Sequence, residues 1–344
     1  MDGEKQKNVS REYLVPVVVG ILAVAGILFG TLAFYRQILN RAGLSEAENW
    51  TTYDRHFVLI ADSADADFWG DVYGVMQEAA NEQGAYVERK GVGRQSEEYR
   101  LTDLMDIAIA SGVDGIILQN TAERGLSGKI DEAAAAGIPV VTVMDDALTS
   151  ARVSFVGVNP YAIGQVYSEN LLSMIPEGEE PVRICVLLTD EATDRNQYQI
   201  YSQINTDLVT NPRTAGRVTV EAVRVSQEKP FDSEEAIHEL FQQGAPYPDI
   251  VVAFSSMITD SVYQAVIDYN RAGLTQIVGY YTSTTIRNAL RDGNIAMTVM
   301  PDTAGIGRNA VAALLDQINE GRTNSYYGVD IRFVTGEDLE DENP

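Results

Sequence analysis

The sequence predicts an α/β protein of two Rossmann-like lobes, each a parallel sheet flanked by helices, preceded by one transmembrane helix. Three observations carry this. From His56 onward, short apolar runs alternate with segments whose apolar residues recur at helical spacing, the pattern of strands joined by helical crossovers. The alternation restarts after residue 160, making two similar halves. Residues 14–35 are 22 consecutive residues without a charge. The 344 residues are enough for two domains of about 150 each.

The amino-terminal run, LVPVVVGILAVAGILFGTLAFY, would span about 33 Å as a helix, enough for a bilayer core. Phe34 and Tyr35 suit its interface, and Arg36 follows. Lys5, Lys7 and Arg11 precede the run, against Arg36 and Arg41 after it, a weak lean toward a cytoplasmic amino terminus. A cleaved signal peptide is the alternative. Against it, the run exceeds the usual h-region of about 7–15 residues, and no A-x-A site or lipoprotein cysteine follows. The expectation is a cytoplasmic tail at 1–13, a signal anchor at 14–35, a stalk at 36–55 and a binding domain outside the cell membrane. Residues 336–344, GEDLEDENP, are expected to fray as an acidic tail.

Composition excludes several function classes. Asp and Glu number 50 and Lys and Arg 25, so the net charge of −25 argues against a nucleic-acid partner, whose phosphates need clustered bases. Hydrophobic residues make up 45%, enough for a sizeable core. A single cysteine, Cys185, allows no disulfide framework and no multi-thiolate metal site, and two histidines allow no His-rich one. No cofactor is expected. His56 starts a strand and His238 lies in a helical pattern, so a Ser-His-Asp enzyme is not supported. GVG at 91–93 is too short for a phosphate loop. DADFWGD at 65–71 resembles a calcium loop only at its start, since the twelfth position is Met76 rather than Glu.

In order, FVLIA (57–61) reads as a strand buried on both faces, and 68–84 as a helix stopped by Gly84. AYVERK (85–90) is a strand; Ser96 is a candidate N-cap before a helix ending at Gly112. GIIL (115–118) is a strand, 122–136 a helix and IPVVTVM (138–144) a strand. The second half repeats this with helices near 160–174, 195–209, 233–243, 258–271, 284–292 and 303–320. Its strands are VRICVLL (182–188), VTVEAVRV (218–225), DIVVAF (249–254), TQIVGYY (275–281), NIAMTVM (294–300) and a last one near 329–334. Ligands of such sheets sit beyond the carboxyl ends of the strands. The loops starting at 62, 145, 190, 226, 255 and 281 would line a cleft between the lobes.

Several segments, in order, resemble the type I periplasmic binding proteins of the ribose-binding, LacI-like class. They are HFVLIADSADADFWGDVYGVMQEAANEQG (56–84), DGIILQ (114–119), AAAAGIPVVTVMDD (133–146), FVGVNPYAIGQ (155–165), SQEKPFDSEEAIHELFQ (226–242), PDIVVAFSSMITDSVYQAV (248–266) and IVGYYTSTTIRNALRDGNIAMTV (277–299). The resemblance covers about 56–335. It implies a three-strand hinge, with lobe 1 at 56–158 and 302–328 and lobe 2 at 159–301 and 329–335. It also implies a non-enzymatic protein that closes around a small polar solute, most simply a sugar, with aromatic faces on the ring and polar groups on its hydroxyls.

Carried over by position, Phe68, Trp69 and Phe231 fall where the family sets aromatics against the ligand. Asp62 stands where it often has a hydroxyl, with Asp65 in the same loop. Asp145 and Asp146 stand at its Asp-Arg pair, with the basic partner missing. Gln197 takes the position of its cleft arginine, with Arg195 close by. Ser256 or Met257 takes its asparagine, Tyr281 its late aspartate, and Pro301 beside Asp302 its late glutamine. These departures argue against simple ribose or glucose and raise a cationic or amino-bearing solute as a hypothesis, with Asp67 a candidate N-cap instead. LacI-type repressors share the fold, but a membrane span stands where a DNA-binding domain would be. The expected partner is an ABC permease. The alternative is a sensory co-receptor presenting the closed form to a membrane sensor kinase or chemoreceptor.

Overall fold

The computed structural model describes residues 52–61, 66–91, 99–121, 123–189, 195–225, 232–242 and 246–341, together with Thr31. The predicted tail, anchor and most of the stalk therefore lie outside the described residues, as do the N-cap candidate Ser96 and the Gly93 end of the GVG segment. No described helix is long and apolar enough to cross a membrane. Tyr53–Pro344 form one compact unit, separate from Met1–Thr52.

That unit is built on two six-stranded sheets. In chain order the first half supplies β1 (Arg55–Ile60), α1 (Ala66–Asn81), β2 (Ala85–Lys90), α2 (Leu101–Ser111), β3 (Gly115–Gln119), α3 (Leu126–Ala135), β4 (Val140–Val143) and β5 (Ser154–Gly157). The second supplies α4 (Pro160–Met174), β6 (Val182–Thr189), α5 (Arg195–Thr210), β7 (Val218–Val225), α6 (Asp232–Gln242), β8 (Ile250–Val252), α7 (Ser256–Asp268), β9 (Gln276–Tyr280), α8 (Thr284–Arg291) and β10 (Met297–Pro301). Then come α9 (Thr303–Glu320), β11 (Tyr326–Gly328), β12 (Ile331–Val334) and α10 (Gly336–Asp341). The sheet orders are β11-β5-β4-β3-β1-β2 and β12-β10-β9-β8-β6-β7. Every pairing is parallel except β10 with β12.

Parallel strands need crossovers, and helices supply them on both faces. This is why the central strands carry unbroken apolar runs: Phe57 to Ile60 and Ile116 to Leu118 are fully buried. Gly112 ends α2 in the left-handed region, where glycine carries no Cβ penalty. Glu123 closes the other end of α2, accepting from the Leu101 and Thr102 backbone N–H groups at 2.8 and 3.0 Å.

The chain passes between the sheets three times: after β5, after β10 and between β11 and β12. The three passages are bonded to one another. Val329 N–H donates to Gly157 C=O at 3.1 Å and Asp302 N–H to Asp330 C=O at 2.9 Å. These bonds make a hinge of adjacent extended segments.

The structure corrects the sequence reading at two places. The last strand expected near 329–334 is β12, and a short strand not expected from the sequence, β11, precedes it in the other sheet, where only the folded neighbour β5 gives it a pairing partner. The acidic tail does not fray over its first six residues, which form α10. The Asp338 carboxylate accepts from Thr335 N–H at 2.7 Å and from its hydroxyl at 2.8 Å, and acids in a first turn suit the helix dipole. Leu339 is buried in the apolar cluster that also holds Leu290 of α8. Residues 342–344 lie outside the described residues.

Helices α1 and α9 pack across one face of the first sheet at Gly307. A Cβ there would lie 2.8 Å from the Val75 Cβ and 3.0 Å from the Val72 carbonyl oxygen. Gly307→Ala is expected to destabilise the fold by about 1–3 kcal/mol, the usual cost of overpacking, read as a lower urea midpoint with an unchanged slope.

Candidate functional site

Because the strands of each sheet run parallel, their carboxyl ends share one edge, and the hinge brings the two edges to face each other. The residues just after β4 and β9, Met144 and Tyr281, both have left-handed backbones, with φ of 67° and 60°. For non-glycine residues this conformation costs on the order of 1–3 kcal/mol, and such strained residues cluster at functional sites. From each corner a side chain reaches the opposite lobe. Asp145 accepts a hydrogen bond from the Asn196 amide of α5, and the Tyr281 phenol donates to Asp71 of α1. The Tyr281 ring also packs edge-on against Phe68, with centroids 5.2 Å apart, and belongs to the apolar cluster of the first sheet.

Two cavities lie along this seam. The inner one, about 110 Å3, is walled by Met144, Val158, Ile163, Tyr167, Ile200, Phe254 and Val299, with Asp145, Asn196 and Gln197 as its polar side. The outer one, about 490 Å3, is open and polar. Asp67 and Asp71 of the first lobe face Thr282, Ser283, Arg287 and Arg291 of the second across it.

The structure sorts the predicted site residues. Asp145, Gln197 and Tyr281 stand at the seam. Gln197 also braces the fold, because its amide oxygen accepts from Thr189 N–H at 3.0 Å and so ties the end of β6 to α5. Phe68 and Trp69 are 2% and 1% exposed, packed on each other with centroids 4.9 Å apart, as core rings beside the seam. Ser256 is the buried first residue of α7, capped by Ser255 rather than by itself. Asp302 is exposed and caps α9, accepting from Gly305 N–H at 2.9 Å. Asp67 is not an N-cap: α1 begins at Ala66, and Asp67 sits in its first turn on the outer cavity. Arg195 opens α5. Asp62, Asp65 and Phe231 lie outside the described residues.

One correction changes the electrostatics. The basic partner expected to be missing beside Asp146 is present as Arg152, six residues on rather than adjacent. Its guanidinium grips Asp146 through two nitrogens, Nη2 to Oδ2 at 2.7 Å and Nε to Oδ1. Arg152 Nη1 also donates to Ser325 C=O at 3.0 Å, tying the pair to β11's approach. The chain leaves β4 and begins β5 about ten residues later, so a sequence neighbour in the turn can fold back onto Asp146.

Residues not singled out from sequence include Asn196, Phe254, Tyr167, Asp71 and Asp260. Phe254 follows the end of β8, so position at a strand's carboxyl end was a usable signal for it. Tyr167 and Asp71 lie inside helices, where helical spacing marks burial but not which cavity is faced. Asp260, on α7, is pushed up by burial and by the nearby Asp67 charge, against a hydrogen bond from Ser283 at 3.1 Å.

The periplasmic binding protein domain family matches residues 57–323, and the chain belongs to that family. Its fold is the type I periplasmic binding protein fold. It is similar to GanP, a glucose-galactose binding protein from Geobacillus stearothermophilus, at 24% identity and a TM-score of 0.72, covering 83% of this chain and 98% of that one. The periplasmic component of an ABC-type sugar transport system from Hahella chejuensis aligns at 20% identity and a TM-score of 0.71, covering 81% and 99%. XylFII, from a XylFII–LytSN complex, aligns at 22% and 0.69, covering 83% and 98%. No curated protein sequence matches.

Two outcomes follow from the charges. Arg152→Ala leaves the Asp146 carboxylate half-buried without its fork and is expected to cost about 1.5–3 kcal/mol in urea unfolding, with Arg152→Lys restoring only part. The Asp260 folded form holds its proton more tightly than the unfolded chain does. The stability this contributes is therefore fully present below the ordinary value of 3.8 and falls as pH rises through the raised folded value. Asp260→Asn is expected to raise the melting temperature at pH 7 and to give no gain below pH 3.8.

Proposed function

We propose that this protein is an extracytoplasmic solute-binding protein that closes two lobes around a small polar ligand, a neutral sugar or sugar derivative, and delivers it to an ABC importer. The observation that carries this is the seam itself. Each lobe sends a side chain across it, Asp145 with Asn196 and Tyr281 with Asp71, beside a cavity with aromatic and apolar walls and one polar side. Such a wall suits a sugar ring, whose faces are apolar and whose edge carries hydroxyls. Family membership supports a binding role rather than catalysis, and GanP and the Hahella protein are named for sugar binding or sugar transport.

A neutral solute is favoured over a cationic one by the charges that line the seam: Asp145 already accepts from the Asn196 amide, and in the outer cavity Arg287 and Arg291 stand against Asp67 and Asp71. The apolar run at 14–35 supports a tether to the cell membrane with the domain outside. Tethering raises the local concentration of the closed form near a membrane partner. A second reading, a co-receptor presenting the closed form to a membrane sensor, is favoured by the likeness to XylFII, which is solved in complex with a second protein, LytSN.

Thermal unfolding of the full chain in mild detergent tests the ligand class. Glucose, galactose, arabinose, allose and glucosamine are added singly. At one hundred times its Kd a solute that binds only the folded state stabilises it by about 2.7 kcal/mol. The expected result is a shift with a neutral sugar larger than with glucosamine. A larger shift with glucosamine defeats the neutral-solute reading, and no shift with any polar solute defeats the function.

A further inference from the structure

Tyr281 belongs by sequence to the second lobe and by packing to the first. It follows β9 of the second sheet, yet its ring is 2% exposed and sits in the apolar cluster of the first sheet with Phe68 and Trp69. Its phenol donates to Asp71 of α1, and burial, then the Asp71 carboxylate, raises its pKa, so it stays a donor. The corner that aims it is fixed by the second lobe alone. Tyr281 N–H donates to Val299 C=O at 2.8 Å, the Thr298 hydroxyl donates to Tyr281 C=O at 2.6 Å, and Arg287 donates to the Thr282 hydroxyl at 3.2 Å. A left-handed backbone at a tyrosine persists only where its surroundings over-determine it, and these bonds do so. The ring is therefore aimed at the first lobe whether or not the lobes touch. Neither Tyr281 nor Phe68 nor Trp69 lines a cavity of the seam, so the socket that receives the ring is separate from the space left for solute.

We propose that Tyr281 is a bolt between the lobes: seated beside Phe68 and hydrogen-bonded to Asp71, it holds the cleft shut without help from solute and sets how fast solute enters and leaves. The bolt is made entirely of the chain's own groups. Swinging the lobes apart about the hinge exposes a buried aromatic ring and breaks a hydrogen bond to a charged group, and both are unfavourable. Asn196 with Asp145 adds a second, wholly polar tie across the same seam. An interaction present equally in the empty and the loaded closed forms does not change their ratio. It lowers the fraction of molecules open to entry, and it slows the reopening of loaded ones by the same factor. The bolt therefore governs rates, while affinity and the choice of solute are left to the groups that line the cavities. Tyr281 is in this sense a positioning residue, acting through the lobes and not on the solute.

The gating of solute rests on the solute-binding reading, whereas the bolt itself is measurable without solute. Spin labels on Leu148→Cys, in the turn between β4 and β5, and on Tyr198→Cys, in α5, report the distance between the lobes of the full chain in mild detergent. Both sites are exposed, and Cys185 is buried. Without solute, one narrow distance is expected while Tyr281 and Asp71 are intact. Tyr281→Phe and Asp71→Ala are each expected to add a longer, broader population. Stopped-flow tryptophan fluorescence then follows the neutral sugar that gives the largest thermal shift. Each variant is expected to raise both the entry and the exit rate roughly 10-fold, the worth of one hydrogen bond to a charged group, with Kd kept within about 2-fold. The double variant should go no further than either single one, and Asp71→Asn, which keeps an accepting oxygen, should fall between them and wild type. Unchanged distances, additive effects of the two variants, or a weaker Kd at an unchanged entry rate overturns the bolt and leaves the function standing. A lower melting temperature with unchanged distances and rates, the mark of a merely structural contact, overturns it too. If wild type binds none of the sugars the function falls, and the distances alone decide the bolt.

Discussion

Parallel strands cannot be joined by tight turns, and the rest of this structure depends on that constraint. Each crossover consumes a helix and returns the chain to the same end of the sheet, so the carboxyl ends gather on one edge. With two sheets and three short passages between them, two such edges face each other. Met144 and Tyr281 turn the chain sharply at those edges, and Asp145 and Tyr281 reach across the gap from opposite sides. Strained corners, cross-lobe bonds and both cavities are consequences of the same geometry.

The acidic composition takes on a different meaning in the folded chain. Many carboxylates are fixed locally by the backbone: Glu123 closes α2, Asp302 closes α9, Asp338 closes α10, and Asp114 accepts from His56 N–H at 2.8 Å. Others form part-exposed ion pairs, such as Arg183 with Glu221 at 2.8 Å, which contribute little to stability. The Asp146 charge is compensated by Arg152. What remains near the seam is mixed rather than uniformly negative, with Asp67 and Asp71 across from Arg287 and Arg291. Among the described residues no Asp or Glu is fully buried, so their excess of acid lies toward solvent, where charge favours solubility.

The residues outside the seam behave as their types suggest. Cys185 lies buried in β6 with its thiol pushed up to about 11 by burial, an inert packing residue. His56 pairs with Glu88 at 3.2 Å on the outer strands, and His238 rests against Tyr269. Neither lines either cavity of the seam.

By itself the sequence determined the alternation of strands and helices, the doubling into two lobes and the family. Apolar periodicity and glycine stops are local signals, and runs such as Phe57–Ile60 have only one way to be buried. Only the tertiary structure decided which side chains meet. Arg152 finds Asp146 because a turn folds back, a fact that no adjacent-pair pattern contains. Asp302 and Ser256 stand at the starts of α9 and α7, while Asn196, between the expected Arg195 and Gln197, and Tyr167, on a helix from which no site residue was expected, line the inner cavity. The reason is physical: burial pattern is written along the chain with the period of its helix or strand, whereas a cleft is made by elements distant in sequence whose relative rotation is set by packing across the hinge.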